Sequence, residues 1–300
     1  MNSPEGRFVE IEGDRYYAIT DVDQMPPFFM SLVSASELWM FLSSTGGLTA
    51  GRVQPEQAIF PYLPVDLIHL AASDTGSRTL ISVETASGLR QWEPFNLEQS
   101  DRYETRRTLY KNTLGNRVIF EEENLSLQLR FAYAWGAAGE FGFVRTSRLE
   151  NLGAARGVNV FDGVQNLLPA GTPRALQTTS SALVDAYKWN EIDPASGLAT
   201  YALYAQISDQ AEPSESLVAT TAFSLGLRAA RVCIAASDFL SIRAGRAVPE
   251  SLVRRGTRGA YFLHATLSMA AGASESWQIV VNTGQSQAEV VALRKTLQAP

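Results

Sequence analysis

Between Leu125 and Trp135 the chain alternates without a break. Leu125, Leu127, Leu129, Phe131, Tyr133 and Trp135 take one face, and Ser126, Gln128, Arg130, Ala132 and Ala134 take the other. A period of two over this length excludes a helix and predicts a long strand with one face in a core. Gly115-Asn116 upstream and the run from Gly136 to Gly139 downstream supply turns. The strand therefore belongs to an antiparallel sheet, with Phe141 to Asn151 returning as its partner.

The rest of the chain repeats the pattern in shorter pieces. Arg7 to Glu12 and Tyr16 to Thr20 read as a hairpin, and Phe28 to Val33 and Leu38 to Ser43 as strands joined by a polar link. Thr79 to Glu84, Arg90 to Phe95, Tyr103 to Tyr110, Leu198 to Ile207, Ala219 to Leu227, Val232 to Ile234, Tyr261 to Met269 and Trp277 to Val281 continue the series. Gly46, Gly47 and Gly51 read as a turn between strands, since neither a Gly-Lys-Ser/Thr nor a Rossmann spacing follows them. Tyr62, between Pro61 and Pro64, sits in an extended loop, because each proline removes a ladder donor. Two packed antiparallel sheets bury this much alternating sequence economically, and the strand count exceeds an immunoglobulin sandwich. The expected fold is mainly β: a large, many-stranded antiparallel β-sandwich.

Composition narrows the partners. A 300-residue chain with 45% apolar residues has ample material for a large core. The net charge of −6 argues against nucleic acid, which needs a concentrated basic face. Arg254, Arg255 and Arg258 are the nearest approach to one and read as a solvated turn. Cys233, the one cysteine, lies in the apolar run Val232 to Ala235; it rules out an internal disulfide and reads as a buried, inert thiol in a reducing compartment. The first residues lack the basic and apolar regions of a signal peptide, and no apolar run is long enough to span a bilayer. A cytoplasmic protein without a membrane partner is expected.

Two segments break the strand pattern. The first is Val160 to Glu191. Here Asp162 and Gly163 read as opening a tight turn, with the amides of Gln165 and Asn166 beside it. A helix carrying Asp185, Tyr187 and Trp189 is expected next, with Asp185 and Trp189 four apart on one face. A carboxylate beside a flat ring is what a sugar site needs, since hydroxyls want acceptors and C–H faces want stacking; a packed helix end can carry the same pair. Asp162, Gln165, Asn166, Asp185, Tyr187 and Trp189 are the candidates for a carbohydrate contact or a domain interface. The second segment, Gln285 to Leu297, has Val290, Leu293 and Leu297 on one stripe and predicts a helix. It divides the chain into a β-sandwich at 1–284 and, at 285–300, the start of a helical linker.

Other chemistry is thinly supplied. His69 sits in an apolar setting and reads as structural, whereas His264 alternates along a strand and could face a cleft. Two distant histidines and one cysteine give no metal-ligand spacing, and no cofactor is expected. No Gly-x-Ser-x-Gly elbow or EF-hand pattern occurs, and the acidic run from Ser208 to Glu215 reads as a solvated rim. An aromatic sugar platform would draw on Trp39, Trp92, Trp189 and Trp277, with Trp135 left to the core.

The runs WMFLSSTGGLTAGR, WEPFN, LYKNTLGN, FEEENLSL, FGFVRTSRLEN, DGVQNLLPAG and LVDAYKWNE together resemble the N-terminal β-sandwich region of bacterial glycoside phosphorylases. These are the relatives of cellobiose and chitobiose phosphorylase and of the β-glucan phosphorylases, and the likeness runs from about Tyr16 to Val281. It implies a supersandwich of the kind also seen in galactose mutarotases, followed by a helical linker and a catalytic (α/α)6 barrel. In that family a carboxylic acid of the barrel protonates the glycosidic oxygen while inorganic phosphate attacks. No catalytic residue transfers to this sequence, because the catalytic motif is absent from it. What the resemblance implies for these residues is a surface that faces an oligosaccharide or glucoside, packs on its own catalytic domain and supports a homodimer. The alternatives are a stand-alone carbohydrate-binding module and a mutarotase-type epimerase, the latter needing a histidine paired with a carboxylate.

Overall fold

The computed structural model describes residues 3–85, 88–179, 181–205, 207, 217–227 and 230–299. A hairpin of β1 (Glu5–Ile11) and β2 (Asp14–Thr20) comes first. β3 (Phe29–Leu32), β4 (Leu38–Ser43), β5 (Leu48–Arg52) and β6 (Ala58–Phe60) form a meander, and α1 (Val65–Leu70) starts just after Pro64. β7 (Gly76–Thr85) pairs with β8 (Gly88–Trp92). A second meander holds β9 (Thr105–Asn112), β10 (Val118–Asn124), β11 (Leu129–Ala137) and β12 (Phe143–Asn151). Then come β13 (Arg156–Leu167), α2 (Arg174–Thr179), α3 (Ser181–Tyr187), β14 (Lys188–Ile192), β15 (Ala199–Leu203) and β16 (Val218–Leu225). β17 (Arg231–Ala235), α4 (Ser237–Arg243), β18 (Val253–Arg255), β19 (Gly259–Met269), β20 (Ser274–Ser286) and α5 (Gln287–Gln298) complete the series.

Three antiparallel sheets result. Eleven strands run in the order β1-β2-β9-β10-β11-β12-β20-β16-β15-β14-β18, five as β17-β19-β13-β7-β8, and four as β3-β4-β5-β6. One continuous core lies between them, joining Met30 and Leu42 of the small sheet, Ile81 and Val160 of the middle one, and Phe131 and Trp277 of the large one. The mainly-β sandwich expected from the alternation is what forms.

The five-stranded sheet is covered on both faces. Leu80, Phe161 and Phe262 turn away from the main core and pack on Phe239 of α4 and on Val248. A strand buried on both faces loses its alternation, and β13 is buried almost without interruption from Val158 to Gln165. This corrects the tight turn read at Asp162-Gly163. Both residues are mid-strand, paired with Leu263 and Phe262 on one side and with Thr79 and Arg78 on the other. Gly163 is required there, since a Cβ would stand 2.0 Å from the Tyr261 carbonyl oxygen.

Three other boundaries move. Leu125 to Gln128 form the turn between β10 and β11, with Gln128 in the left-handed region at φ 54. The alternation survived because Leu127 still plugs the core from within the turn. Trp189 lies on β14, not on a helix with Asp185, because its segment pairs with β15 and β18. β20 runs on to Ser286, so residues 285 and 286, expected to be helical, are strand instead; they pair with Ala219 and Val218. Ser286 then caps α5 through a reciprocal capping box with Glu289. The apolar stripe of α5, Val290, Leu293 and Leu297, packs on Leu198, Phe223 and Val280 of the large sheet. The acidic run from Ser208 to Glu215 lies outside the described residues.

Candidate functional site

A cleft of about 840 Å³ opens between α1, β7, the β8–β9 connection and α4. His69, Arg78, Glu93, Asn96 and Arg243 stand on its walls, and Phe95, Tyr133 and Phe239 put aromatic surface beside them. The site is built by side chains from runs that are far apart in sequence.

Glu122, from FEEENLSL, holds WEPFN in place. Its Oε1 accepts from Trp92 Nε1 at 2.7 Å, and its Oε2 accepts from the Phe95 backbone N–H at 2.7 Å and from Arg107 Nε at 2.5 Å. Arg107 also donates to the Asn96 carbonyl at 3.2 Å. The loop needs this support because Phe95 is held at a φ of 67, which is costly for a bulky side chain. The second residue of WEPFN, Glu93, is itself buried. Its carboxylate accepts from Arg78 Nη2 and Asn96 Nδ2, both at 3.2 Å, and forms an ion pair with Arg243 Nε at 2.7 Å. Arg78 in turn lies 4.4 Å above the Phe239 ring.

A second lock stands behind the cleft. Asp162 and Arg145 are both fully buried and form a bidentate pair at 2.8 Å on each arm. Thr79 Oγ1 at 2.6 Å, Ser147 Oγ at 2.9 Å and Trp277 Nε1 at 2.7 Å complete the shell of Asp162. Every lone pair has a donor, which is what lets a charge pair persist in a core. Asp162 is a structural residue, with no opening to a ligand. The Tyr133 ring lies 4.8 Å from the Arg145 guanidinium, and burial holds the Tyr133 phenol well above its ordinary pKa, so it stays a neutral donor and acceptor.

The other candidates divide. Gln165 lines the cleft and donates to the Ser73 carbonyl at 2.7 Å. Asn166 takes φ 61 at a bulge ending β13 and donates to Thr75 Oγ1 at 2.9 Å. Asp185 bonds Lys188 Nζ at 2.7 Å and lies 3.6 Å from Nε of Arg258, which lines the cleft. Tyr187 stacks on Tyr204, and Trp189 lies under Arg255 at 3.8 Å, donating to Glu191 Oε2 at 3.0 Å. The basic triplet is solvated but also engaged: Arg254 pairs with Asp238, Arg255 lies over Trp189 and Arg258 is near Asp185, while Arg255 stays exposed and Arg258 half-buried. The four-tryptophan platform does not form, since Trp92 and Trp277 are 1% exposed.

The histidines change places. His264 is away from the cleft, edge-on to Phe161, and burial aided by Arg231 lowers its pKa. His69, expected to be structural, lines the cleft. Its Nδ1 is 2.8 Å from the buried Ser43 Oγ, which accepts from the Thr45 backbone N–H at 3.1 Å. Thr45 Oγ1 bridges Ser43 Oγ at 2.7 Å and the His69 carbonyl at 3.1 Å. The relay fixes the ring through one nitrogen, and Nε2 has no hydrogen bond to the described residues. Glu93, Arg78 and Arg243 are the cleft residues that sequence reasoning missed. The usable signal was WEPFN itself, where an acidic residue between tryptophan and proline needs a cationic partner. Cys233 is buried, and burial raises its thiol pKa.

Among the described residues no group of three or more His, Cys, Asp or Glu side chains is placed to hold a metal ion. No described helix is long and apolar enough to cross a membrane.

No family model and no curated protein matches the chain. Among solved structures, a polysaccharide lyase is similar over 91% of this chain and 34% of its own, with a TM-score of 0.46 and 10% identity. A bacterial glucoamylase complexed with acarbose is similar over 92% of this chain and 36% of its own, with a TM-score of 0.41 and 11% identity. A proposed aldose 1-epimerase from Klebsiella pneumoniae covers 99% of this chain and 92% of its own, with a TM-score of 0.41 and 8% identity. The chain thus spans about a third of the length of the lyase and the glucoamylase. At these scores and identities the likenesses carry no argument about this chain.

Proposed function

We propose that this chain is a non-catalytic, carbohydrate-facing β-sandwich that receives an oligosaccharide or glucoside in the cleft. It would serve a glycoside phosphorylase-like enzyme acting on β-glucosides, with inorganic phosphate as co-substrate and catalysis in a helical barrel outside these residues. Residues 285–300 are its proposed linker, and a homodimer its proposed assembly.

One observation carries the reading: the buried carboxylates of the site are clasped by guanidinium groups, while amides, hydroxyls and aromatic rings face the space between. Glu93 is held by Arg78 and Arg243, Glu122 by Arg107, and Asp162 by Arg145. A carboxylate held this way spends its oxygens on the guanidinium groups and other donors of the protein, which leaves it as scaffold and not as a partner for the ligand. Asn96 and Gln165 beside Phe95 and Phe239 offer what a sugar's hydroxyl rim and C–H face require.

The test uses the 300-residue chain. Incubated with inorganic phosphate and cellobiose or laminaribiose, it should release no sugar phosphate, while glucan titration should give a calorimetric signal lost in Asn96→Ala. Turnover would sink the non-catalytic reading, and absence of binding to any glucan would sink the carbohydrate reading. A second reading, aldose ring opening, has one observation in its favour, the open Nε2 of His69 in the cleft. Neither histidine pairs with a described carboxylate, as that chemistry would want. Polarimetry of fresh α-D-glucose decides it: acceleration that disappears in His69→Ala would replace the first reading by the second.

A further inference from the structure

We propose that the outer face of the four-stranded sheet is a second carbohydrate site, a flat aromatic platform separate from the cleft. The proposal rests on the carbohydrate reading above and extends it to a surface that reading does not use.

Along β4, Leu38, Met40 and Leu42 point into the core, which leaves Trp39 and Phe41 on the opposite face, joined by Phe29 of β3. The orientation of these rings follows from a glycine. Gly51 is directly across from Trp39, and a Cβ on it would stand 2.5 Å from Cζ2 of the indole. The indole therefore lies down across β5 instead of standing on the sheet. Phe41 is within 27° of its plane, and Phe29 is within 25° of Phe41.

The centroids are 6.1 and 5.5 Å apart, the spacing of rings offset along their stack and not laid squarely face to face. The three rings thus overlap like shingles, with Trp39 and Phe41 half-buried and Phe29 42% exposed.

The strip ends at a built wall. Tyr62 stands at 86° to Trp39 with centroids 5.4 Å apart, and the Arg174 guanidinium lies over the Tyr62 ring at 5.1 Å. Tyr62 is fixed by the buried Gln177, whose Oε1 accepts from the Tyr62 backbone N–H at 2.8 Å. The Nε2 of Gln177 donates to the carbonyls of Pro55 at 2.7 Å and Thr172 at 2.9 Å. One satisfied amide thus ties the loop, α2 and the β5–β6 connection together. A groove of about 650 Å³ lies between, lined by Phe29, Phe41, Tyr62, Val65, Arg174 and Thr178. A surface held in shape before its ligand arrives has little ordering cost left for binding.

The ligand class follows from the pairing of surfaces. A pyranose has a flat C–H face for the shingled rings and a hydroxyl rim that reaches the Arg174 guanidinium and the Thr178 hydroxyl at the lip. A wholly apolar partner would leave that guanidinium and hydroxyl desolvated without hydrogen bonds.

The probes are cellopentaose and laminaripentaose, titrated calorimetrically into the full chain and into Phe41→Ala, Phe29→Ala and the cleft variant His69→Ala. Circular dichroism checks folding, and the exposed position of Phe29 keeps one platform variant informative if Phe41→Ala unfolds. The platform variants should lose about tenfold in affinity, the worth of one aromatic contact, while His69→Ala retains the platform component. Binding lost in His69→Ala and unchanged in both platform variants would overturn the platform and leave the cleft reading standing. No binding by the wild-type chain would overturn both. Sedimentation showing a dimer that Phe29→Ala dissociates, without sugar binding, would overturn the platform in favour of a second copy as occupant.

Discussion

Helix α1 separates two surfaces built on opposite principles. Val65 and Ile68 line the aromatic groove, while His69 and Leu70 line the cleft. The cleft is shaped by opposite charges buried in pairs, with Asp162–Arg145 and Glu122–Arg107 as its internal posts. The groove is shaped by rings resting on backbone, with Gly51 leaving the room and Gln177 holding the wall. The difference lies in how each tolerates loss. A buried pair fails once one partner is removed, because the other keeps its charge without compensation; a packed ring fails in proportion to the displaced volume.

The largest effect should therefore come from the cleft side. Asp162→Asn keeps the shape but strands the Arg145 guanidinium at zero exposure, and should cost roughly 3–5 kcal/mol in urea unfolding. A loss under 1 kcal/mol would show that the pair is replaceable and that packing alone shapes both surfaces. On the groove side, Gly51→Ala pushes a methyl against Trp39, the Gln57 carbonyl and Ala58. Overpacking of this kind should cost about 1–3 kcal/mol and change the near-ultraviolet circular dichroism of the indole. An unchanged spectrum would mean that Trp39 stands clear of β5.

These contrasts also explain what could be read in advance. The sandwich was legible because most strands have one buried face, and alternation reports that directly. β13 was not, because two buried faces erase the period, and an aspartate, a glycine and two amides then imitate a turn. Asp162 reads from the sequence as a sugar or interface candidate, while the partners that bury it, Arg145 and Trp277, lie 17 and 115 residues away, beyond any local pattern. Trp189 was placed on the wrong element, since the α3–β14 junction has no glycine or proline to mark it. For the platform, Trp39 and Tyr62 were visible as aromatics, yet only the register that sets Trp39 across from Gly51 shows how the ring lies.

Smaller effects sharpen the comparison at the cleft's edge. Arg243→Met removes one of the two cations on Glu93 and leaves Arg78 in place. Arg243 is 38% exposed, so the loss should be near 1 kcal/mol and should fade at high salt. A loss as large as that of Asp162→Asn would put the cleft wall in the same class as the internal posts.

The smallest effect distinguishes the two principles within one residue. Asp238, on the same helix as Arg243, pairs with Arg254, yet burial outweighs that attraction and raises its pKa above the ordinary value of 3.8. With the folded pKa above the unfolded one, the folded state binds more protons over the window from that value upward. Stability from Asp238 is therefore full below the unfolded pKa and declines as pH rises through the folded one. Asp238→Asn has no such decline. Unfolding measured at pH 3.5, 5 and 7 should show the variant gaining on the wild type with rising pH. If it loses ground instead, the attraction of Arg254 exceeds the cost of burial, and Asp238 belongs with Asp162 among the charges that hold the fold.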